Sequence, residues 1–150
     1  MYDGGSKPAI VLSSLRPLGR RMFTCGHELG HHVFGHGSRL DEIKEKSMSG
    51  NFQPEEFLAD SFAGFLLMPS PGLRRAFLRR GLNAEQVTPL DIVRISTDFG
   101  VGFDTLVTQL GAQKIINNGL IDGLRKKGIN SVRKEILADA EKTPLYVLDT

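Results

Sequence analysis

The sequence predicts an α+β fold, mostly helical, with a small N-terminal β element and accessory C-terminal helices. Three observations predict it. From residue 20 onward, apolar residues recur at helical spacing in successive segments. Prolines fall where such segments start and stop, not inside them, and glycines close several of them. Only one short apolar run, Ala9-Ile10-Val11-Leu12, has the length and branching of a strand.

The elements follow in order. Asp3-Gly4-Gly5-Ser6 signals a turn before that strand, and Pro17 and Gly19 break the pattern after it. Met22, Cys25, Leu29 and Val33 then mark the apolar stripe of a helix closed by Gly35 and Gly37. Residues 38–53 are polar and charged and read as a loop. Pro54 opens a helix running to Met68, before Pro69. Pro71 opens a shorter one through Arg80, closed by Gly81. Thr88-Pro89-Leu90-Asp91 combines a capping threonine, a first-turn proline and a first-turn acid, and its helix ends at Phe99-Gly100. Further helices are predicted over Phe103 to Leu110, Gln113 to Lys127 and Ser131 to Lys142, with an extended tail over Pro144 to Leu148.

Composition narrows the function classes. The chain has 150 residues, 40% of them hydrophobic, enough for one domain with a core. The apolar stretch Phe62 to Met68 is far short of the roughly 20 residues of a membrane span, so no membrane partner is expected. No secretory pattern opens the chain. The single cysteine, Cys25, precludes an internal disulfide and suits a cytoplasmic location. Nineteen basic against 17 acidic residues leave a net charge of +2. That balance argues against coating nucleic acid or anionic lipid.

One motif carries chemistry. Residues 27–31 read His27-Glu28-Leu29-Gly30-His31, an H-E-x-x-H on a predicted helix. Four residues make just over one turn, so both imidazoles share a face and fit two corners of a zinc tetrahedron. Glu28 lies 100° round the helix, beside that face, where it can reach a metal-held water. The bland reading is two surface histidines and a solvated glutamate. Catalytic zinc usually takes three protein ligands. His32 points a further 100° away, and His36 falls one residue short of the third histidine of the metzincin pattern. Glu56-Phe57-Leu58-Ala59-Asp60 offers acids four apart on one helix face. Glu56 can complete a two-histidine, one-carboxylate site, and Asp60 can accept the far ring N–H of a ligand histidine. The same acids also fit a solvated helix start favoured by the dipole. Against that, Asp60 lies in a very apolar stretch, and Gly64 one turn on would allow close approach of another helix.

These residues resemble the ImmA/IrrE metallopeptidase family. The stretch Phe23-Thr24-Cys25-Gly26-His27-Glu28-Leu29-Gly30-His31-His32 is similar to the family's R-x-x-x-(L/A)-x-H-E-L-G-H, with Arg20 or Arg21 ahead of it. Glu56 to Asp60 followed by Ser61-Phe62-Ala63-Gly64-Phe65-Leu66-Leu67-Met68-Pro69 is similar to its E-x-x-x-(N/D)-x-F-A-x-x-L-L-M-P. Phe99-Gly100-Val101 with Phe103-Asp104-Thr105-Leu106 resembles its F-G-V-S-x-x-x-L turn. The similarity spans about residues 9–110.

The resemblance implies a zincin-like core of gluzincin type over residues 1–110, with 111–150 a C-terminal helical extension packed on the same domain. It implies a zinc-dependent endopeptidase, with manganese the alternative metal. Its partner would be a protein substrate, such as a helix-turn-helix transcriptional repressor, and not nucleic acid directly. Carried over by position, His27, His31 and Glu56 are ligands, Glu28 the base, and Asp60 the residue that orients a histidine. Such a substrate would lie extended beside the N-terminal strand pair. Fewer residues than usual precede the first strand. Zincins often use Tyr, His or Arg on the oxyanion. Tyr2 and Tyr146 lie in no motif, which leaves His32, His36 and Arg39 as candidates.

Other features have simpler readings. Cys25 reads as a core residue. Arg74, Arg75, Arg79 and Arg80 form a basic spiral, and they and Lys126 and Lys127 read as solvated faces, with docking of an acidic partner the alternative. Residues 88–110 have the helix-turn-helix outline of a DNA-associated regulator, yet carry three acids and only Arg94 as a base. A metal-binding regulatory or interaction module without peptidase activity is the third class. Oligomeric state is left open.

Overall fold

The structure, a computed structural model, describes residues 2–3, 7–36 and 53–138. The loop predicted over 38–53 falls almost wholly outside these residues. So do the tail at 144–148, the last turn of the final predicted helix, Arg39 and Tyr146. Within them the chain is mostly helical. Two short strands, β1 (Tyr2–Asp3) and β2 (Ala9–Ile10), pair antiparallel with Tyr2 opposite Ile10. Six helices follow among the described residues: α1 (Leu18–Val33), α2 (Pro54–Leu67), α3 (Ser70–Arg79), α4 (Pro89–Phe99), α5 (Phe103–Ala112) and α6 (Asn118–Ala138). None is long and apolar enough to cross a membrane.

Local chemistry sets these boundaries. Thr88 Oγ1 accepts the Asp91 N–H, and Asp91 Oδ2 accepts the Thr88 N–H, closing a capping box at the start of α4. α4 ends with Gly100 at φ 62°, where the Val101 N–H reaches back to the Ser96 carbonyl at 3.0 Å. α6 starts at Asn118, five residues later than predicted. The same kind of turn ends α5, but its left-handed residue is Lys114 at φ 54°. With no glycine there, the sequence gives no stop signal. Asn117 Oδ1 then accepts the Leu120 N–H and starts α6 afresh. The predicted break near residue 128 is present as a kink at Gly128, φ 61°.

The core lies in α3 to α6 and the end of α2. Met68, Leu73, Ile92, Ile95, Leu106 and Leu110 are all fully buried. Each such side chain contributes about 1.5–3 kcal/mol relative to exposure. α5 is consumed by this core: Phe103, Leu106, Val107, Gln109 and Leu110 are buried, and Asp104, Thr108 and Ala112 are its exposed positions. Arg80 is not a solvated face, since its Nη2 donates to Asp98 Oδ2 at 2.6 Å and ties α3 to α4. Gln113 Nε2 donates to the Met68 carbonyl at 2.7 Å, fixing the C-terminus of α2 against α5.

α1 is the exception to the apolar-stripe rule. The stripe expected in the core is largely outside it: Met22 is 41% and Val33 55% exposed, and Cys25 is only half-buried. The buried residues of α1 are Gly19, Gly26, Gly30 and His31. A Cβ on Gly26 would lie 3.2 Å from the Ala63 Cβ, and one on Gly30 would lie 3.0 Å from the Ala59 Cα. The α1 and α2 backbones therefore meet glycine against alanine. At Gly64, by contrast, it is the Gln109 side chain of α5 that occupies the space. At the other end of α1, a Cβ on Gly19 would meet the backbone of Val101 and Gly102 at 2.8 Å, seating the helix on the turn between α4 and α5.

Candidate metal centre

The glycine–alanine contact brings the site together. Gly30 abuts Ala59, and Glu56 lies three residues before Ala59, about one turn along α2. That places the Glu56 carboxylate against the imidazoles of α1. His27 Nε2 lies 3.5 Å from Glu56 Oε2, His31 Nε2 lies 3.5 Å from Glu56 Oε1, and the two Nε2 atoms are 2.9 Å apart. These three residues form the metal-capable group found among the described residues. Tetrahedral bonds of about 2.1 Å separate neighbouring ligand atoms by about 3.4 Å.

The outward ring nitrogens explain why these atoms converge. His27 Nδ1–H donates to Asp60 Oδ1 at 2.7 Å. That bond leaves the Nε2 lone pair of His27 turned inward. His31 Nδ1 lies 2.8 Å from His36 Nδ1. With the proton on His31 Nδ1, donated to His36, the Nε2 of His31 also presents a lone pair. In those tautomers two imidazole lone pairs and a carboxylate face one point. A cation is what relieves that apposition, so the donor set fits a divalent metal of borderline softness such as zinc.

Burial grades the site from back to front. His31 is fully buried, the His27 side chain is 16% and that of Glu56 20% exposed. Asp60, at 59% side-chain exposure, holds His27 from the solvent side. Glu28 is half-buried on α1, next in sequence to His27.

His36 is the member that sequence reasoning placed elsewhere, among candidates for the oxyanion. α1 ends with Gly35 at φ 69°, the Gly35 N–H bonded to the His32 carbonyl and the His36 N–H to the His31 carbonyl at 3.0 Å. This is the Schellman arrangement, which brings the second residue past the helix cap back against the third from its end. An apolar pair usually fills those positions, and here they are His36 and His31. Gly35 was the available signal, since it dictates the turn that returns His36 to the site. Phe34 stacks on His36 at 5.7 Å and meets Phe62 of α2 edge-on at 5.8 Å, bracing the turn. His32 is exposed. His36→Ala is expected to lower zinc affinity about 10- to 100-fold, the usual effect of losing such a partner, with the helix content unchanged. Competition with a chromophoric chelator, alongside circular dichroism, measures both.

The model of the peptidase M78 family, the IrrE N-terminal-like domain, matches residues 2–110. The chain belongs to this family. No curated protein and no solved structure matches it. The peptidase M78 match takes in β1 through most of α5, so both helices that carry the donors and the turn that seats α1 lie inside it. α6 lies beyond it and still contributes Leu124 and Val132 to the same core.

Proposed function

We propose that this chain is a zinc-dependent endopeptidase acting in the cytoplasm on a protein substrate. The observation that carries the reading is the convergence of His27 Nε2, His31 Nε2 and the Glu56 carboxylate on one point. Family membership supplies the reaction class. His27, His31 and Glu56 would hold the metal, and Asp60 and His36 would fix the ring orientation of the two histidines. Bound there, zinc supplies an acidified water and a Lewis acid for the scissile carbonyl.

The chain's own groups do the proton work. Glu28 takes the proton of the attacking water and returns it to the leaving amine. Its place next to His27 in sequence, 100° round α1, lets it serve without becoming a ligand. By accepting the Nδ1–H, the Asp60 carboxylate would strengthen the His27 ring as a donor to the metal. A sequence-specific regulatory protein, such as a helix-turn-helix repressor, is the substrate class that the family resemblance suggests.

The test is a digest of a mixed peptide library by the purified protein, read by mass spectrometry. Cleavage that needs one zinc per chain, stops with a chelator and returns with added zinc is expected. Zinc-loaded protein that cuts nothing overturns the reading.

A further inference from the structure

A groove runs along α1 from Asp60, the hydrogen-bond partner of His27. Residues 20, 23, 24, 27 and 31 share one face of that helix by their spacing. The first section of the groove, about 430 Å³, is lined by Asp60, Ser61, Phe57 and Phe23 among others. The next, about 560 Å³, shares Phe23, Asp104 and Thr105 with the first and is lined also by Arg20 and Thr24. The last, about 500 Å³, shares Arg20 and Thr24 and ends on Arg16, Arg21 and Ser13. The sections therefore adjoin, and they run from the residue that holds His27 to a cluster of three arginines.

That cluster lacks counter-charge among the described residues. Among the described residues no acid lies within ion-pair distance of Arg16, Arg20 or Arg21, whereas Arg80 has its aspartate. Arg21 Nε is buried with no hydrogen-bond partner. Three cations lining one cavity repel one another, and a buried donor without an acceptor is costly. A carboxylate in the groove meets the repulsion, since it accepts two parallel bonds from an exposed guanidinium such as that of Arg16 or Arg20. The middle of the groove carries Asp104 and its start Asp60. A polyanion would be repelled there, while a peptide with a single acidic residue would not.

We propose that Arg16, Arg20 and Arg21 form a specificity subsite for an acidic side chain of the peptide substrate. Arg20 lies seven residues before His27, about 10 Å along the helix. An extended peptide advances about 3.3 Å per residue, which puts the recognised Asp or Glu about three residues from the cleaved bond. The position relative to that bond rests on the peptidase reading; the binding does not.

The experiment separates the two. Glu28→Gln protein is titrated, by fluorescence anisotropy, into an amidated fluorescein decapeptide of alanine and serine bearing one Glu, and into its Gln counterpart. The acidic peptide is expected to bind at least about tenfold more tightly. The double variant Arg16→Gln/Arg20→Gln, with exposed positions changed and zinc content unaltered, is expected to erase the difference. Equal binding of both peptides, or a preference that survives in the double variant, overturns the subsite. So does a single-stranded oligonucleotide that displaces the acidic peptide at equal or lower concentration, which would make the cluster a nucleic-acid contact. If the acidic preference holds but wild-type protein cuts no peptide of the set, the subsite stands and the peptidase reading fails.

Discussion

Glu28→Gln protein is expected to keep its zinc and to cleave peptide about 10²- to 10⁴-fold more slowly than wild type, the range assigned to a positioned general base. The two halves of that result follow from where Glu28 sits. His27 and His31 are four residues apart and bring their Nε2 atoms within 2.9 Å, while Glu28 is offset by 100° on the same helix. The amide of glutamine fills the same volume and hydrogen-bonds, so the α1–α2 contact and the donor set survive. What it cannot do is take a proton from water at neutral pH. Metal stoichiometry and single-turnover cleavage on the same preparation check this. Wild-type turnover in that variant removes Glu28 from the mechanism, and lost zinc would make it a ligand instead of a base.

Much of this site was legible before any coordinates, and the reasons are local. H-E-x-x-H places two imidazoles on one face because helix geometry is rigid over one turn. Glu56 and Asp60 were readable as a pair because four-residue spacing places both on one face, and Asp60 does hold His27 at 2.7 Å. The face of α1 was not readable in the same way. Its apolar stripe through Met22, Cys25, Leu29 and Val33 has the right period, but the helix buries its glycines. A hydrophobic pattern reports which side chains gain from burial. It does not report where two backbones need to touch, and here a close approach outweighs the stripe because it sets the reach of Glu56. The start of α6 was missed because a lysine occupies the left-handed position where glycine is the usual sign. His36 was readable only through the turn that Gly35 makes, as a consequence of helix-end geometry and not of ligand spacing.

Glu56→Ala protein is expected to lose most of its metal affinity. A complete four-ligand zinc site in a small protein is worth about 10–16 kcal/mol in apparent binding, so one ligand of several accounts for roughly 3 kcal/mol, a loss of over a hundredfold. Removing the carboxylate deletes one of three donors and the only negative charge among them. The two histidines remain, each held from behind by Asp60 or His36, but two neutral nitrogens do not balance a dication in a site where His31 is fully buried. Isothermal titration with zinc, or cobalt absorption as a reporter of tetrahedral geometry, measures the change. Helical content should stay as it is, because Glu56 is in the first turn of α2 and the buried Ala59 and Ala63 carry the packing. Zinc content and affinity equal to wild type would exclude Glu56 as the third ligand. With Glu56 excluded, the 3.5 Å approaches to His27 and His31 would be an ordinary ion-pair geometry, and the case for a two-histidine, one-carboxylate metallopeptidase would lose the observation on which it stands.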